Sequence, residues 1–321
     1  MTERPARPFR FGVMAEQTTT RHELLETARQ VEALGYSTFL LRDHFIAEPF
    51  GSQLGPIAAL TAAAMVTRQL RVGTLVLCND YRHPALLAQE AATLDVLSEG
   101  RLELGLGAGF SLPEYAAAGL PFDRPGLRIT RLEESIHCLK ALFADGEATW
   151  QGEHYELRAL DGFPKPVQRP HPPITLAGAL PRMLRLAARE ADIVNLQTVT
   201  LTSGRVEDEG AQRLLEVEEG RVDLVREHAG ERFDDIELTK LVTLISTDTP
   251  EGAAVELIET RGWRGVNPAQ VLEMPSVVIG TAEGIAERLL RHRERLGFSY
   301  YVVPRASLVE FAPVVARLAG H

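Results

Sequence analysis

The chain has 321 residues, an apolar fraction of 45%, a charged fraction of 24% and a formal net charge of −10. Its lysines and arginines are scattered rather than clustered, which together with the negative charge excludes nonspecific nucleic-acid binding. No window approaches the roughly 18 apolar residues of a membrane span, and residues 1–8 lack the apolar core of a signal peptide. Cys78 and Cys138 are too few for a disulfide framework, so buried free thiols in a reducing cytoplasm are expected.

Strand-like and helix-like segments alternate along the chain. Short apolar runs predict eight strands, at residues 9–15, 37–42, 71–77, 102–107, 174–177, 192–197, 236–246 and 299–303. Segments with helical periodicity predict helices at residues 21–34, 56–67, 84–97, 127–143, 181–190, 206–229, 250–260, 281–296 and 308–318. Because parallel strands need crossover helices and buried faces, the pattern predicts an α/β fold, a closed (β/α)8 TIM barrel. A doubly wound open sheet is the alternative.

Two regions depart from this alternation. Residues 147–173 contain extended chain and prolines and are interpreted as an insertion, and residues 263–275 are predicted to be an irregular excursion. The helix at 206–229 is rich in Glu and Arg, so it is expected to be more solvated than the others. No linker or compositional break divides the chain, which predicts one domain over residues 1–321.

Ligands of such a barrel bind at the carboxyl ends of its strands. That rule selects small and polar residues after strands one to six: Glu16, Gln17, Asp43, His44, Cys78, Asn79, Ala108, Gly109, Phe110, Gly178, Ala179 and Gln197.

The Asp43-His44 pair has the clearest chemical meaning among these residues. A histidine beside a carboxylate can hold a defined tautomer and exchange a proton near neutral pH. The alternative is structural, with Asp43 capping the next turn and His44 packed as a hydrogen-bonded ring. Glu16 is likewise either a general acid at the barrel mouth or a solvated loop residue. The nine histidines show no ligand spacing, so no metal site is predicted.

Two glycine-rich segments favour ligand contact. The run from Gly105 through Gly107 and Ala108 to Gly109 lacks the spacing of a dinucleotide fingerprint. It either lets a planar ring lie against the backbone or reflects close strand packing. The segment from Ala177 through Gly178 and Ala179 to Arg182 opens a helix, where free amides and the guanidinium favour an anion such as a phosphate.

The chain resembles the luciferase-like monooxygenase superfamily, and most closely its coenzyme F420-dependent branch. The resemblance covers residues 9–303 and lies in several motifs, at residues 32–36, 43–45, 70–84, 94–109, 131–135, 152–155, 166–174 and 187–192. It implies a (β/α)8 barrel with an insertion, a homodimer, and a flavin or deazaflavin at the strand ends. It also implies a non-proline cis peptide bond in strand three, here between Leu75 and Val76.

The resemblance carries roles onto particular residues. It implies that Asp43 contacts the deazaflavin, that His44 is the active-site histidine and that Glu16 faces the substrate. The cofactor-binding set that we predict is Asp43, Leu75, Val76, Cys78, Gly107, Ala108, Gly109, Ala177, Gly178, Ala179 and Arg182. Phe110 and Gln17 are predicted to line the substrate pocket.

Two differences from the family's sequence pattern narrow the class of substrate that is expected. The sugar-phosphate dehydrogenases of this branch place a glutamate just after strand four, where this chain has Phe110, and a tryptophan after the Asp-His pair, which is missing here. Both differences predict a more apolar substrate pocket, which disfavours the oxidation of a sugar phosphate.

The prediction is therefore an F420-dependent oxidoreductase that moves a hydride between C5 of the deazaflavin and a small, mainly apolar carbonyl, alcohol or activated alkene. His44 is the expected proton donor or acceptor, with Glu16 as its partner or replacement. One alternative is an FMN-dependent monooxygenase supplied by a separate flavin reductase. A second is a catalytically silent F420- or flavin-binding protein, which the loss of the glutamate at Phe110 would favour.

Overall fold

The protein forms a closed barrel of parallel strands. A computed structural model describes residues 7–198, 204 and 206–321. The strands are β1 (Arg10–Met14), β2 (Thr38–Leu41), β3 (Arg71–Thr74), β4 (Leu77–Cys78), β5 (Leu102–Gly107), β6 (Ala148–Gln151), β7 (Glu156–Leu160), β8 (Ile174–Gly178), β9 (Ile193–Leu196), β10 (Glu237–Leu241), β11 (Thr243–Ser246), β12 (Val277–Gly280) and β13 (Phe298–Pro304). In the barrel, the strand order is β1-β2-β3-β5-β8-β9-β10-β13 and β13 pairs again with β1, with every pairing parallel. The predicted (β/α)8 fold is confirmed.

Helices lie around this barrel. They are α1 (Arg21–Ala33), α2 (Pro56–Ala64), α3 (Pro84–Leu97), α4 (Leu112–Ala117), α5 (Pro125–Phe143), α6 (Pro181–Glu190), α7 (Leu215–Ala229), α8 (Pro250–Arg261), α9 (Pro268–Glu273), α10 (Ala282–Leu296) and α11 (Leu308–Leu318). Many begin with proline in the first turn, where its missing N–H costs nothing. Among the described helices, none is long and apolar enough to cross a bilayer.

The strands alternate their side chains between two cores. Outward residues such as Phe11, Val13 and Phe39 pack under the helices, whereas Met14 and Tyr300 fill the barrel interior in a smaller cluster. Cys78 and Cys138 are both buried free thiols, as expected.

Strand three is interrupted where the family resemblance places a cis bond. The Leu75–Val76 peptide is cis, and it separates β3 from β4. Both strands pair with β5, but Gly73 lies opposite Glu103 and Leu77 opposite Leu106, so one extra residue bulges from the strand. The prediction of one continuous strand at 71–77 is therefore wrong, while the predicted cis bond is present.

Strand seven leaves the barrel midway. The backbone N–H of Val242 still donates to Val302, but that of Thr243 donates to Ser276. From there β11 pairs with β12 in a separate two-stranded sheet. The predicted strand at 236–246 is thus two strands.

Other predicted boundaries also change. The region 263–275 is less irregular than predicted, because α9 lies in it and is capped by Asn267 and Gln270. Residues 147–173 contain the antiparallel hairpin of β6 and β7. The helix predicted from residue 206 begins at Leu215, after a 3-10 turn, and it buries Glu218 on its inner face, so it is less solvated than expected.

Candidate active site

A cavity of about 490 Å³ opens at the carboxyl ends of the barrel strands. Most of the predicted site residues line it: Glu16, Asp43, His44, Leu75, Val76, Cys78, Gly107, Ala108, Gly109, Phe110, Ala177, Gly178 and Ala179.

Three residues selected from the sequence lie outside this lining. Asn79 is buried, and its side-chain amide donates to Tyr155 Oη at 3.2 Å. Gln17 is exposed, has a φ of 59° and packs its side chain against Gly51. Arg182 is also exposed and donates to Thr130 Oγ1 at 2.7 Å, on the outer surface of α5. The strand-end rule selected Gln17, and the helix start after Ala179 selected Arg182, but neither side chain lines the cavity.

His44 is held by a buried carboxylate that the sequence analysis missed. Its Nδ1 lies 2.9 Å from Oε2 of Glu114, whose side chain is 1% exposed. The other oxygen of Glu114 accepts from the backbone N–H groups of Phe45 at 2.6 Å and Ile46 at 3.3 Å. Tyr81 Oη donates to Oε2 at 3.4 Å. Glu114 therefore fixes both the ring of His44 and the loop that carries it.

The His44 ring also lies between two aromatic side chains. It stacks on Phe50 with ring centroids 4.8 Å apart, and Phe110 meets it edge-on at 5.8 Å. All three residues line the cavity. Because Nδ1 is occupied by Glu114, Nε2 is the ring nitrogen left for a ligand in apolar surroundings.

Glu16 pairs with an arginine rather than with His44. Its Oε1 lies 2.7 Å from Nε of Arg42, whose guanidinium also covers the Phe50 ring at 4.0 Å. Burial raises the pKa of Glu16, an effect that the charges of Arg42 and His44 partly oppose. The carboxylate that contacts the His44 ring is thus Glu114 rather than Glu16.

Asp43 connects the end of β2 to the bulge in strand three. Its carboxylate accepts from Arg82 at 2.5 and 3.0 Å and from the backbone N–H of Cys78 at 3.0 Å. Cys78 is two residues beyond the cis bond, so this pair holds the bulge in place. Burial raises the pKa of the Cys78 thiol to about 12, which keeps it protonated and excludes a thiolate nucleophile at neutral pH.

The glycines of the cavity wall are required by close packing. A Cβ on Gly107 would lie 2.7 Å from Val76 Cγ2, and one on Gly178 would lie 2.4 Å from Met183 Cγ. Of the two interpretations of these glycines, close packing is the one these contacts support. The consequence is still a wall without side chains, because Gly107, Ala108, Gly178 and Ala179 leave backbone facing the cavity.

An unpaired buried cation adjoins this wall. Arg128 on α5 is 2% exposed, lines the cavity and donates to the carbonyl oxygens of Ala108 and Asp123. Within the described chain, no carboxylate forms an ion pair with it, whereas Asp43 and Glu16 are each paired. The first turn of α6, after Ala179, has no side-chain cap. Arg128 and this helix start together favour a bound anion.

Glu114 and Arg128 are the functional candidates that sequence reasoning missed. Ser111 and Glu114 have the Ser-x-x-Glu spacing typical of a helix start, which could have revealed α4. Arg128 lies in a predicted helix among other charged residues, and no local pattern distinguishes it from a solvated arginine.

The profile of the luciferase-like monooxygenase family matches residues 6–274. The chain belongs to this family, and it is an oxidoreductase of the flavin or deazaflavin type. It is 31% identical to an F420-dependent glucose-6-phosphate dehydrogenase of Amycolatopsis mediterranei over 79% of this chain and 72% of that protein.

Solved structures show the same fold with both cofactor types. The F420-dependent tetrahydromethanopterin reductase of Methanopyrus kandleri has 17% identity and a TM-score of 0.75, covering 98% of this chain and 99% of the other. The FMN-bound oxygenating constituent of 3,6-diketocamphane monooxygenase from Pseudomonas putida has 15% identity and a TM-score of 0.71, covering 98% of each chain. The fold alone therefore does not choose between the two cofactors.

Proposed function

We propose that the protein is an F420-dependent oxidoreductase that transfers a hydride between C5 of the deazaflavin and a small, mainly apolar carbonyl, alcohol or activated alkene. The observation that carries the proposal is the His44–Glu114 pair in a cavity that is also lined by Gly107, Ala108 and the two residues of the cis bond. The likeness to an F420-dependent dehydrogenase supports the deazaflavin over a flavin.

The residues present fit a planar ring with an anionic tail. Leu75 and Val76 at the bulge, with Ala108 just after β5, would hold the ring, and Arg128 with the start of α6 would hold its phosphate. When bound, the deazaflavin supplies the carbon that carries the hydride. The protein supplies orientation, exclusion of water and a proton.

We assign the proton transfer to and from the substrate oxygen to His44. Since Glu114 accepts at Nδ1, the neutral ring keeps its proton on Nδ1 and presents a lone pair at Nε2. Nε2 takes the hydroxyl proton of an alcohol substrate, and the imidazolium returns it to the oxygen in the reverse direction. Glu114 stabilises the imidazolium, so Glu16 is not needed as a partner.

The walls around His44 set the substrate class. Phe50 and Phe110 enclose the ring, and the arginine nearest to them, Arg42, is already paired with Glu16. An apolar carbonyl or alcohol carbon gains free energy by entering these surroundings, while a sugar hydroxyl array would lose hydrogen bonds to water. This favours an apolar substrate over glucose 6-phosphate.

Parallel fluorescence titrations of the purified protein with F420 and with FMN test the proposal. We expect micromolar or tighter F420 binding and negligible FMN binding. Preferential FMN binding would contradict the proposal and favour an oxygen-consuming monooxygenase supplied by a separate reductase. Binding of neither cofactor would contradict both functions.

A pair of arginine variants tests the assigned anion site. Arg128→Gln removes the buried charge beside Ala108, and we expect F420 affinity to fall roughly 10- to 100-fold, the usual effect of losing a charge-assisted hydrogen bond. Arg182→Gln is the matched control, because Arg182 lies at the start of α6 but outside the cavity. Equal affinities for the two variants would remove Arg128 from the cofactor site.

A further inference from the structure

A second cationic cluster lies on the same cavity, away from His44 and Arg128. Asp208 is the shared partner of two arginines, with Oδ1 at 2.7 Å from Arg213 Nε and Oδ2 at 2.9 Å from Arg261 NH1. All three residues line the cavity. Two guanidinium groups and one carboxylate leave this cluster with a net charge of +1.

The two arginines differ in how much of their hydrogen-bonding capacity remains open. Arg213 is buried, donates to Ser276 Oγ at 3.1 Å and lies 5.2 Å from the centre of the Trp263 ring. Arg261 keeps 41% of its side chain exposed, and its contact with Asp208 is its single ion pair within the described chain. Arg213 therefore positions Asp208. Asp208 in turn holds Arg261, whose other N–H groups have no carboxylate partner among the described residues.

Strand order separates this cluster from the other two sites. Asp208 and Arg213 follow β9, whereas His44 follows β2. These two strands are four positions apart in either direction around the barrel. Arg128 instead lies beside the ends of β5 and β8. The proton-transfer group, the predicted cofactor phosphate site and the Asp208 cluster thus occupy three different sectors of the mouth.

The cavity wall next to the cluster is partly apolar. Leu196, Leu241, Val242 and Val206 line it at the ends of β9 and β10 and on the following segment, together with the polar residues Asn195, Gln197, Thr198 and Thr243. A ligand that reaches from His44 to Arg261 can therefore contact apolar side chains between these two groups and one positive charge at its far end.

We propose that Arg261, held by Asp208, binds the carboxylate of the substrate, which is an apolar carbonyl or alcohol compound carrying one such group remote from the reacting carbon. The proposal rests on the proposed oxidoreductase function and names its substrate class. The net charge of +1 matches a monoanion, whereas a phosphate ester with two charges would leave one uncompensated. The free N–H groups of Arg261 suit the two oxygens of a carboxylate.

Isothermal titration with octanoate and with 1-octanol tests the assignment, because these probes share a chain length and differ in the anionic group. Titrations are run on the protein alone and on protein saturated with F420. We expect octanoate to bind more tightly than 1-octanol, and Arg261→Gln to weaken octanoate roughly 10- to 100-fold while leaving 1-octanol unchanged. Arg261→Lys, which keeps the charge, should recover most of the octanoate affinity.

Arg264→Gln is the matched control, since Arg264 is exposed nearby and does not line the cavity. Octanoate that fails to bind the wild-type protein, or that binds Arg261→Gln equally well, overturns the proposal. A loss of F420 affinity in Arg261→Gln with unchanged octanoate binding also overturns it, because the arginine then serves the cofactor. Failure of F420 to bind the wild type would contradict the proposed function alone, since the octanoate titration on the unliganded protein still decides the role of Arg261.

Discussion

The two ends of the barrel both contain a buried glutamate, but with different kinds of partner. At the amino ends of the strands, Glu103 accepts from Arg10 at 2.6 Å and from Arg71 at 2.7 Å. At the carboxyl ends, Glu114 binds His44 and two backbone N–H groups. The first carboxylate has partners that are always charged, and the second has a partner whose charge can change.

This difference in partners distinguishes a carboxylate that stabilises the fold, Glu103, from one that we assign to the chemistry, Glu114. Burial alone would raise the pKa of Glu103, but Arg10 and Arg71 outweigh it and hold that pKa below its usual value, so the network stays ionised. At this amino end of the barrel, which we call the floor, the guanidinium of Arg10 also lies 3.6 Å from the centre of the Tyr300 ring. At the mouth, the partner of Glu114 is instead an imidazole, to which we assign proton transfer in the proposed function.

The largest expected effect is at the mouth. His44→Ala should lower turnover roughly 10²- to 10⁴-fold, the usual contribution of a general acid or base. F420 affinity should change little, whereas thermal stability should fall somewhat, because the His44 side chain is only 12% exposed and its loss takes one partner from the buried carboxylate of Glu114. Steady-state kinetics with His22→Ala, an exposed histidine, as control would measure this. Unchanged turnover with intact cofactor binding would assign the proton to another group.

A change at the floor should affect stability and leave turnover alone. Glu103→Gln removes the carboxylate that Arg10 and Arg71 share, although Arg10 keeps its ion pair with Glu237, and we expect a loss of about 1–3 kcal/mol in the free energy of unfolding. Denaturant titration measures it, and kcat per folded molecule should stay at the wild-type value. Glu26→Gln, which breaks an exposed pair with Arg29, should cost less than about 1 kcal/mol.

Glu114→Gln should have a smaller effect on turnover than His44→Ala. The amide can still accept from Phe45, but it no longer stabilises the imidazolium, so kcat should fall roughly 10- to 100-fold. Nitrogen chemical shifts of the His44 ring report which nitrogen carries the proton, and the Nδ1-protonated form should lose population. Tyr81→Phe, which removes the longer 3.4 Å contact, is the milder comparison. A variant with wild-type kinetics and an unchanged tautomer would show that Glu114 only supports the loop.

The smallest expected effect is on how the free energy of unfolding changes with pH. The contributions of Glu103 and Glu16 should change in opposite directions. Because its pKa is lowered on folding, Glu103 stabilises the protein above the unfolded carboxyl pKa and loses that effect as the pH falls. The pKa of Glu16 is raised, so its contribution is present at low pH and is lost as the pH rises through the folded value. The stability difference between wild type and Glu103→Gln should therefore grow from pH 4 to 7, and that for Glu16→Gln should shrink. Slopes of the same sign would contradict the contrast between the two ends.

Most of the fold was predictable because each strand and helix has its own local pattern. The eight barrel strands lie near the predicted positions, but the bulge at Leu75 was accessible only through the family resemblance. No periodicity indicates a cis bond, and none indicates that Thr243 changes its pairing partner from β13 to β12. Those features depend on neighbouring strands rather than on the segment itself.

The sequence predicted where the site lies, but not which side chains contact each other within it. The strand-end rule found Asp43 and His44, because the ends of parallel strands necessarily surround one mouth. It could not find Glu114, which is 70 residues from His44 in sequence and reaches it from a helix outside the barrel. Gln17 failed because position at a strand end does not determine side-chain direction.

The departure of β11 from the barrel gives the cavity wall a part that packs separately from the barrel. The segment from β11 to β12, with α8 and α9, packs around its own apolar cluster that includes Trp263, Val271 and Met274. Substitutions in this segment need not disturb the hydrogen-bond ladder of the barrel or the His44 side of the mouth. We therefore expect the residues around Arg261 to tolerate change while the barrel strands stay constant, so that the substrate binding proposed for Arg261 and the proton transfer proposed for His44 can be altered independently.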